Sequence, residues 1–140
     1  MSKPSAPART SSKLARYGMG SSLVGIGVLH FVAPKQFEAI IPDELPAKSF
    51  WVYGTGVLEV AGGVKLLRWP TRRLGFLLVG LLLLVFPANI NMALRDLSVE
   101  GGPSMPKWAL WARLPLQFVM IWAVLAATRE SAPAELVTDG

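Results

Sequence analysis

The sequence predicts an all-α fold: a bundle of four transmembrane helices with both termini on the cytoplasmic side. Three observations lead there. Hydrophobic residues make up 52% of the 140-residue chain and charged residues only 16%, against about 25% charged in soluble domains, so the charge available is too sparse to cover a water-exposed surface. Four stretches are each close to the ~20 apolar residues that a helix needs to cross ~30 Å of hydrocarbon. The basic residues gather at the ends of those stretches, alternately many and few, as the positive-inside rule requires.

The first residues, 1–13, are rich in Ser, Pro, Ala and basic side chains, a composition that predicts a disordered cytoplasmic arm. The first span follows over residues 14–32. A signal peptide is the rival reading, but this apolar run is longer than an h-region of ~7–15 residues, and His30-Phe31-Val32-Ala33-Pro34 is a poor cleavage site. The second span, residues 49–67, is interrupted by Glu59 and by glycines. The third, residues 74–94, is the most continuous: thirteen residues from Leu74 hold no polar side chain, so no polar face recurs there at the 3.6-residue period of a soluble amphipathic helix. The fourth covers residues 108–128. Residues 129–140 form a polar tail carrying Pro133, expected to be disordered in the cytoplasm.

Orientation comes from the connections. Lys3, Arg9, Lys13 and Arg16 precede or open span one, and Lys65, Arg68, Arg72 and Arg73 surround the turn between spans two and three. The other two connections hold Lys35 and Lys48, and Arg95 and Lys107, the former diluted by Glu38, Asp43 and Glu44. The chain is therefore expected N-in and C-in, as a multi-pass protein of the inner (plasma) membrane. In the first outer connection, Pro34, Pro42 and Pro46 punctuate a short amphipathic piece around Gln36–Ile41 that reads as an interfacial cap or as a plain surface loop. Trp51, Tyr53, Trp69, Trp108 and Trp111 fall near span ends, the level of membrane-interface aromatics.

A charge at mid-membrane costs ~2.5–3.5 kcal/mol on insertion scales, so polar residues inside spans carry information. Six stand out: His30, Glu59, Asn89, Asn91, Arg113 and Gln117. At ~1.5 Å per residue, the topology places all six between the midplane and the outer face. Gly56, Glu59 and Gly63 lie on one helix face, a small-residue surface suited to close packing. Asn91 shares its face with Gly80, Pro87 and Ala88, and reads as pointing further inward than Asn89. Arg113 and Gln117, four residues apart, point the same way. The expectation is a polar pocket in which Arg113 or His30 balances Glu59, with Asn91 and Gln117 as hydrogen-bond partners. Pro87 and Pro115 each delete a backbone donor, freeing the carbonyls of Leu83 and Trp111. The plainer reading is that these residues glue four helices together, with Arg113 reaching to the interface.

The segments Gly27-Val28-Leu29-His30-Phe31, Gly56-Val57-Leu58-Glu59-Val60-Ala61-Gly62-Gly63, Arg68-Trp69-Pro70-Thr71-Arg72-Arg73, Phe86-Pro87-Ala88-Asn89-Ile90-Asn91 and Arg113-Leu114-Pro115-Leu116-Gln117 resemble, in order, the DoxX family of small four-helix membrane proteins. That resemblance implies an accessory subunit of a quinone-linked membrane redox system, with quinone as the pocket's ligand and a redox enzyme as partner.

Other classes are narrowed by composition. The net charge of +5 does not gather on one helix face with interleaved aromatics, which argues against nucleic acid. With no cysteine and a single histidine, the chain offers no thiolate metal site, iron–sulfur cluster, thiol relay or bis-histidine haem, and no metal or cofactor is expected in the chain itself. Apart from the redox role, two functions remain open: a small-solute binding or transport protein, in which a homo-oligomer would compensate for the small number of helices, and a non-catalytic assembly or scaffold protein.

Overall fold

The structure, a computed structural model, describes residues 7–95 and 106–129, the first five of them by backbone alone. The described residues form five helices and no strand: α1 (Pro7–Val32), α2 (Pro34–Ile40), α3 (Lys48–Arg68), α4 (Arg72–Leu94) and α5 (Lys107–Arg129). The helix class is as predicted. α4 and α5 are each long and apolar enough to cross a membrane, and α1 and α2 satisfy the same test only as a pair bent by 100°.

One difference from the expected boundaries concerns the start of α1. It begins at Pro7, so residues 7–13, expected in a disordered arm, are helical; the run Thr10-Ser11-Ser12-Lys13-Leu14-Ala15 holds no glycine or proline to stop a helix once α1 is packed. Residues 1–6 of that arm and 130–140 of the tail lie outside the described residues. At the other end α1 stops at Pro34. A residue before proline is pushed out of the α region, and Ala33 is non-helical (φ −133°, ψ 53°), with Pro34 opening α2. Pro70 acts alike on Trp69 (φ −139°, ψ 72°), ending α3. Thr71 then caps α4, its hydroxyl oxygen accepting from the Leu74 backbone N–H at 3.2 Å.

The helices associate as two pairs, α1 with α3 and α4 with α5, joined mainly by α1 against α5. Glycine makes the first pair possible. A Cβ at Gly27 would lie 2.8 Å from the Gly56 carbonyl oxygen, and one at Gly63 would lie 2.7 Å from that of Gly20. Seven-residue spacing on both helices thus places glycine against glycine twice, and the backbones approach closer than any side chain permits. Arg16 secures the same pair, donating to the carbonyls of Leu66 (3.1 Å) and Leu67. It thereby satisfies acceptors left over at the C-terminus of α3, where a cation is favoured.

At this end of the bundle all four long helices meet in a dry apolar core of Met19, Leu23, Leu66, Leu74, Leu78, Leu81, Leu82, Val124 and Ala127. Gly62 receives Leu78, and Gly75 receives Thr128. The opposite end is built differently. There α2 and residues 41–47 lie across the helices, and a smaller cluster of Met92, Ala93 and Leu110 packs with Ile40 and Leu114.

Candidate functional site

Between the dry core and the α2 cap lies a cavity of about 460 Å³, to which all five helices contribute side chains. Most of its wall is apolar. The polar residues that reach it are His30, Thr55, Glu59, Asn89, Arg113 and Gln117, so five of the six residues singled out in the sequence line one space.

Helix packing determines how they are held. Gly56 lies against the Cβ of His30, which allows the histidine to pass close beside α3 and brings its Nδ1 to 3.5 Å from Glu59 Oε2. His30 Nδ1 also lies 2.8 Å from the Ile26 carbonyl oxygen. A carbonyl only accepts, so this nitrogen carries a proton. Phe37 of α2 stacks on the imidazole, with centroids 3.8 Å apart and planes inclined by 23°. Glu59 is 7% exposed, and its Oε2 makes no hydrogen bond among the described residues. Thr55, one turn away, donates to the carbonyls of Trp51 (2.7 Å) and Val52 (3.2 Å).

Across the cavity, α4 and α5 carry a second polar group. Asn89 Nδ2 donates to Gln117 Oε1 at 3.1 Å, and Gln117 Nε2 donates to the Leu82 carbonyl. Arg113 is half-buried, and its described contact is from Nη1 to Met92 Sδ at 3.3 Å, a weak acceptor for a guanidinium.

Three expectations need correction here. Arg113 does not balance Glu59: among the described residues the acid's ion-pair neighbour is His30, because the arginine sits on the opposite helix pair with its head group beside Met92. Asn91 is not the inward asparagine. Its amide donates to the Ile40 carbonyl at 2.9 Å and ties α4 to the end of α2, while Asn89, on the face of Leu82 and Val85, lines the cavity. The carbonyl that takes up a side-chain donor beside Pro87 is that of Leu82, one residue before the expected Leu83.

The cap is fastened at several points. Asp43 accepts from Lys48 and Arg95, both at 2.7 Å. Ser49 donates to Glu38, and Trp51 Nε1 donates to the Pro46 carbonyl at 3.1 Å. The segment ends at Ala47 in the left-handed region (φ 55°, ψ 51°), uncommon for a residue with a Cβ. Lys48 and Arg95 hold the Asp43 carboxyl well below its ordinary range, at about 2, and Asp43 in turn raises the Arg95 guanidinium. Sequence reasoning did not find Phe37 on His30, Met92 beside Arg113, or Trp51 in the cavity wall. Each depends on how far α2 folds back, which no local pattern encodes.

Residues 19–128 match the family described as Domain of unknown function (DUF8561). The chain belongs to that family. No curated protein matches the chain, and no solved structure does. The match corrects the resemblance to DoxX, since the family it identifies is a different one. The motifs behind that resemblance were short apolar segments with Gly, Pro and single polar residues, a pattern that membrane helices share through common packing needs.

Proposed function

We propose that this protein is a four-span bundle of the inner (plasma) membrane, N-in and C-in, that binds a small amphipathic molecule in the outer half of the bilayer. The observation that carries the reading is the cavity. Its volume lies within the roughly 300–1,000 Å³ of small-molecule sites, and it combines an apolar wall with a few convergent polar groups. One of those groups, Glu59, is buried with an oxygen that no hydrogen bond satisfies among the described residues. A buried acid of that kind is costly in a bilayer and is a functional feature by default.

The topology is supported by length, surface and charge. α1, α3, α4 and α5 have 26, 21, 23 and 23 residues, each at least ~30 Å at ~1.5 Å per residue. Their outward faces present large apolar side chains such as Phe50, Leu58, Leu77, Leu83, Phe118 and Trp122. Lys13, Arg16, Lys65, Arg68, Arg72, Arg73 and Arg129 stand at the end remote from α2, and the described residues there include no acid. Leu84, Pro87 and Leu116 belong both to the cavity wall and to the exposed surface, which gives a lipid-dissolved molecule a side entrance.

This reading keeps the pocket and leaves the redox role without its footing, because that role rested on the DoxX resemblance. The test is purification from native membranes, with mass spectrometry of co-purifying small molecules and proteins, for wild type and Glu59→Leu. A small molecule present in wild type and lost in the variant supports the reading. A protein partner retained in both samples, with no small molecule in either, would favour the assembly role instead. Because the chain has no cysteine, single cysteines report topology directly: Glu44→Cys should react with an impermeant maleimide on intact cells, and Arg72→Cys only after permeabilisation.

A further inference from the structure

The polar atoms of the cavity specify the head group of its ligand more narrowly than its volume does; this step rests on the binding reading above. Glu59 Oε2 is an acceptor position with no hydrogen-bond partner among the described residues. Its neighbours do not complete it. His30 holds its proton on the Ile26 carbonyl at 2.8 Å and stands 3.5 Å from the acid, too far for a good hydrogen bond. Thr55 directs its hydroxyl proton to carbonyls of its own helix. Gln117 directs an amide proton to the Leu82 carbonyl, and Asn89 directs one to Gln117 Oε1. Among the described residues, therefore, no donor of the cavity wall reaches Glu59 Oε2 within hydrogen-bond distance.

We infer that the site takes a single-chain amphiphile whose head group donates a hydrogen bond and carries no negative charge, an alkyl amine or alcohol, with the donor on Glu59. The alkyl chain then runs along the apolar wall of Ile26, Val85 and Met120 toward the exposed Leu84, Pro87 and Leu116. A carboxylate or phosphate head would meet the acid of Glu59 at short range. Arg113 could attract such a head, but it is only half-buried and stands on the opposite helix pair, so it makes a weaker claim on the head group than an acid that is 7% exposed.

The test uses the purified chain in phosphatidylcholine nanodiscs, whose lipids offer no donor head. Native mass spectrometry reads the occupancy of dodecylamine, dodecanol, dodecanoate and dodecyltrimethylammonium, which share one chain length. The expected result is that the amine and the alcohol bind about tenfold tighter than the trimethylammonium and the carboxylate, since a hydrogen bond to a charged or buried partner contributes at least that much. In Glu59→Leu the preference should fall toward one. The ranking in wild type already decides the matter if the variant fails to fold. Equal occupancy of all four probes, which is also what a water molecule satisfying Glu59 would produce, overturns the head-group assignment and leaves the pocket. Preference for dodecanoate that disappears in Arg113→Ala overturns it in favour of an anionic ligand. If none of the four binds, both this assignment and the amphiphile-binding reading are refuted.

Discussion

The two halves of this bundle use the same four helices to opposite ends. In the basic half, glycines remove side chains from three helix crossings: Gly20 against Gly63, Gly62 against Leu78, Gly75 against Thr128. Leu66 and Val124 are fully enclosed there. In the other half, among the described residues, only α1 and α3 keep a glycine contact, at Gly27 and Gly56. α4 and α5 stand away from them, and the space is filled by polar side chains, an apolar void and the α2 cap. Interiors normally pack to the density of organic crystals, and in a bilayer packing replaces much of the hydrophobic drive between helices. On the proposed reading, stability and binding are assigned to different ends, so the tightly packed half can hold the helices while the other half tolerates an incomplete interior.

The largest effects should break the packed half. Gly63→Val places a branched side chain where even a Cβ would lie 2.7 Å from a backbone oxygen and 2.9 Å from a backbone nitrogen. Backbone cannot yield as a flexible side chain does, so the cost should exceed the 1–3 kcal/mol typical of overpacking, and folded protein should be lost on size-exclusion chromatography. Gly25 and Gly80 have nothing within 4 Å of where a Cβ would stand, and alanine there should be neutral or gain up to about 1 kcal/mol from helix propensity. If Gly63→Val and Gly80→Ala unfold at the same temperature, the glycines do not hold the pairs together.

Truncating one leucine in each half sharpens the contrast. Leu66 is 0% exposed and Leu116 is 51% exposed. Leu66→Ala should cost about 2–5 kcal/mol through lost contacts and a new void. Leu116→Ala enlarges a space already present and should cost well under 1 kcal/mol, which thermal unfolding in detergent can compare directly. Glu59→Leu should move the other way. Removing a buried acid with an unsatisfied oxygen should stabilise the fold by roughly 1–3 kcal/mol while abolishing ligand binding, the trade expected of a functional residue. A Glu59→Leu variant less stable than wild type would mean that the acid has a structural partner after all.

How legible was this in the sequence? The helix class was readable, as were the ends of α1 and α3, because Pro34 and Pro70 close those apolar runs locally; the start of α1 at Pro7 was not. Five of the six polar residues singled out line the cavity, although helix phase favoured Asn91 over Asn89. What could not be read was which neighbour each residue meets. Asn89 and Asn91 lie two residues apart on opposite sides of α4, and the choice between them is made by Ile40, whose position depends on the 100° bend after α1. Arg113 and Glu59 looked like a pair on charge alone, yet the glycine contact at Gly56 brings His30 to the acid first. The family was misread for a related reason: short motifs set by bilayer packing recur among unrelated membrane helices.

The smallest expected effect concerns the cap. Asp43 is exposed and its carboxyl is held at about 2 against an unperturbed 3.8, by hydrogen bonds from Lys48 first and Arg95 second. A depressed carboxyl stabilises the fold above its unfolded value and loses that contribution as pH falls through its folded value. The stabilisation from this latch should thus be complete above about pH 4 and vanish between roughly pH 4 and pH 2. Because exposed ion pairs are screened by water and salt, the effect should be modest and weaken in high salt. Comparing the melting of wild type and Asp43→Asn at pH 7 and at pH 2.5 reads it: the variant should melt slightly earlier at pH 7, and the gap should narrow in acid. The same substitution should speed ligand release if α2 is a lid, and leave release unchanged if the ligand leaves only past Leu84, Pro87 and Leu116. If the proposed ligand is bound there, the cap's weak latch and the bundle's side opening offer it two ways out of the loosely packed half, and this one variant tells them apart.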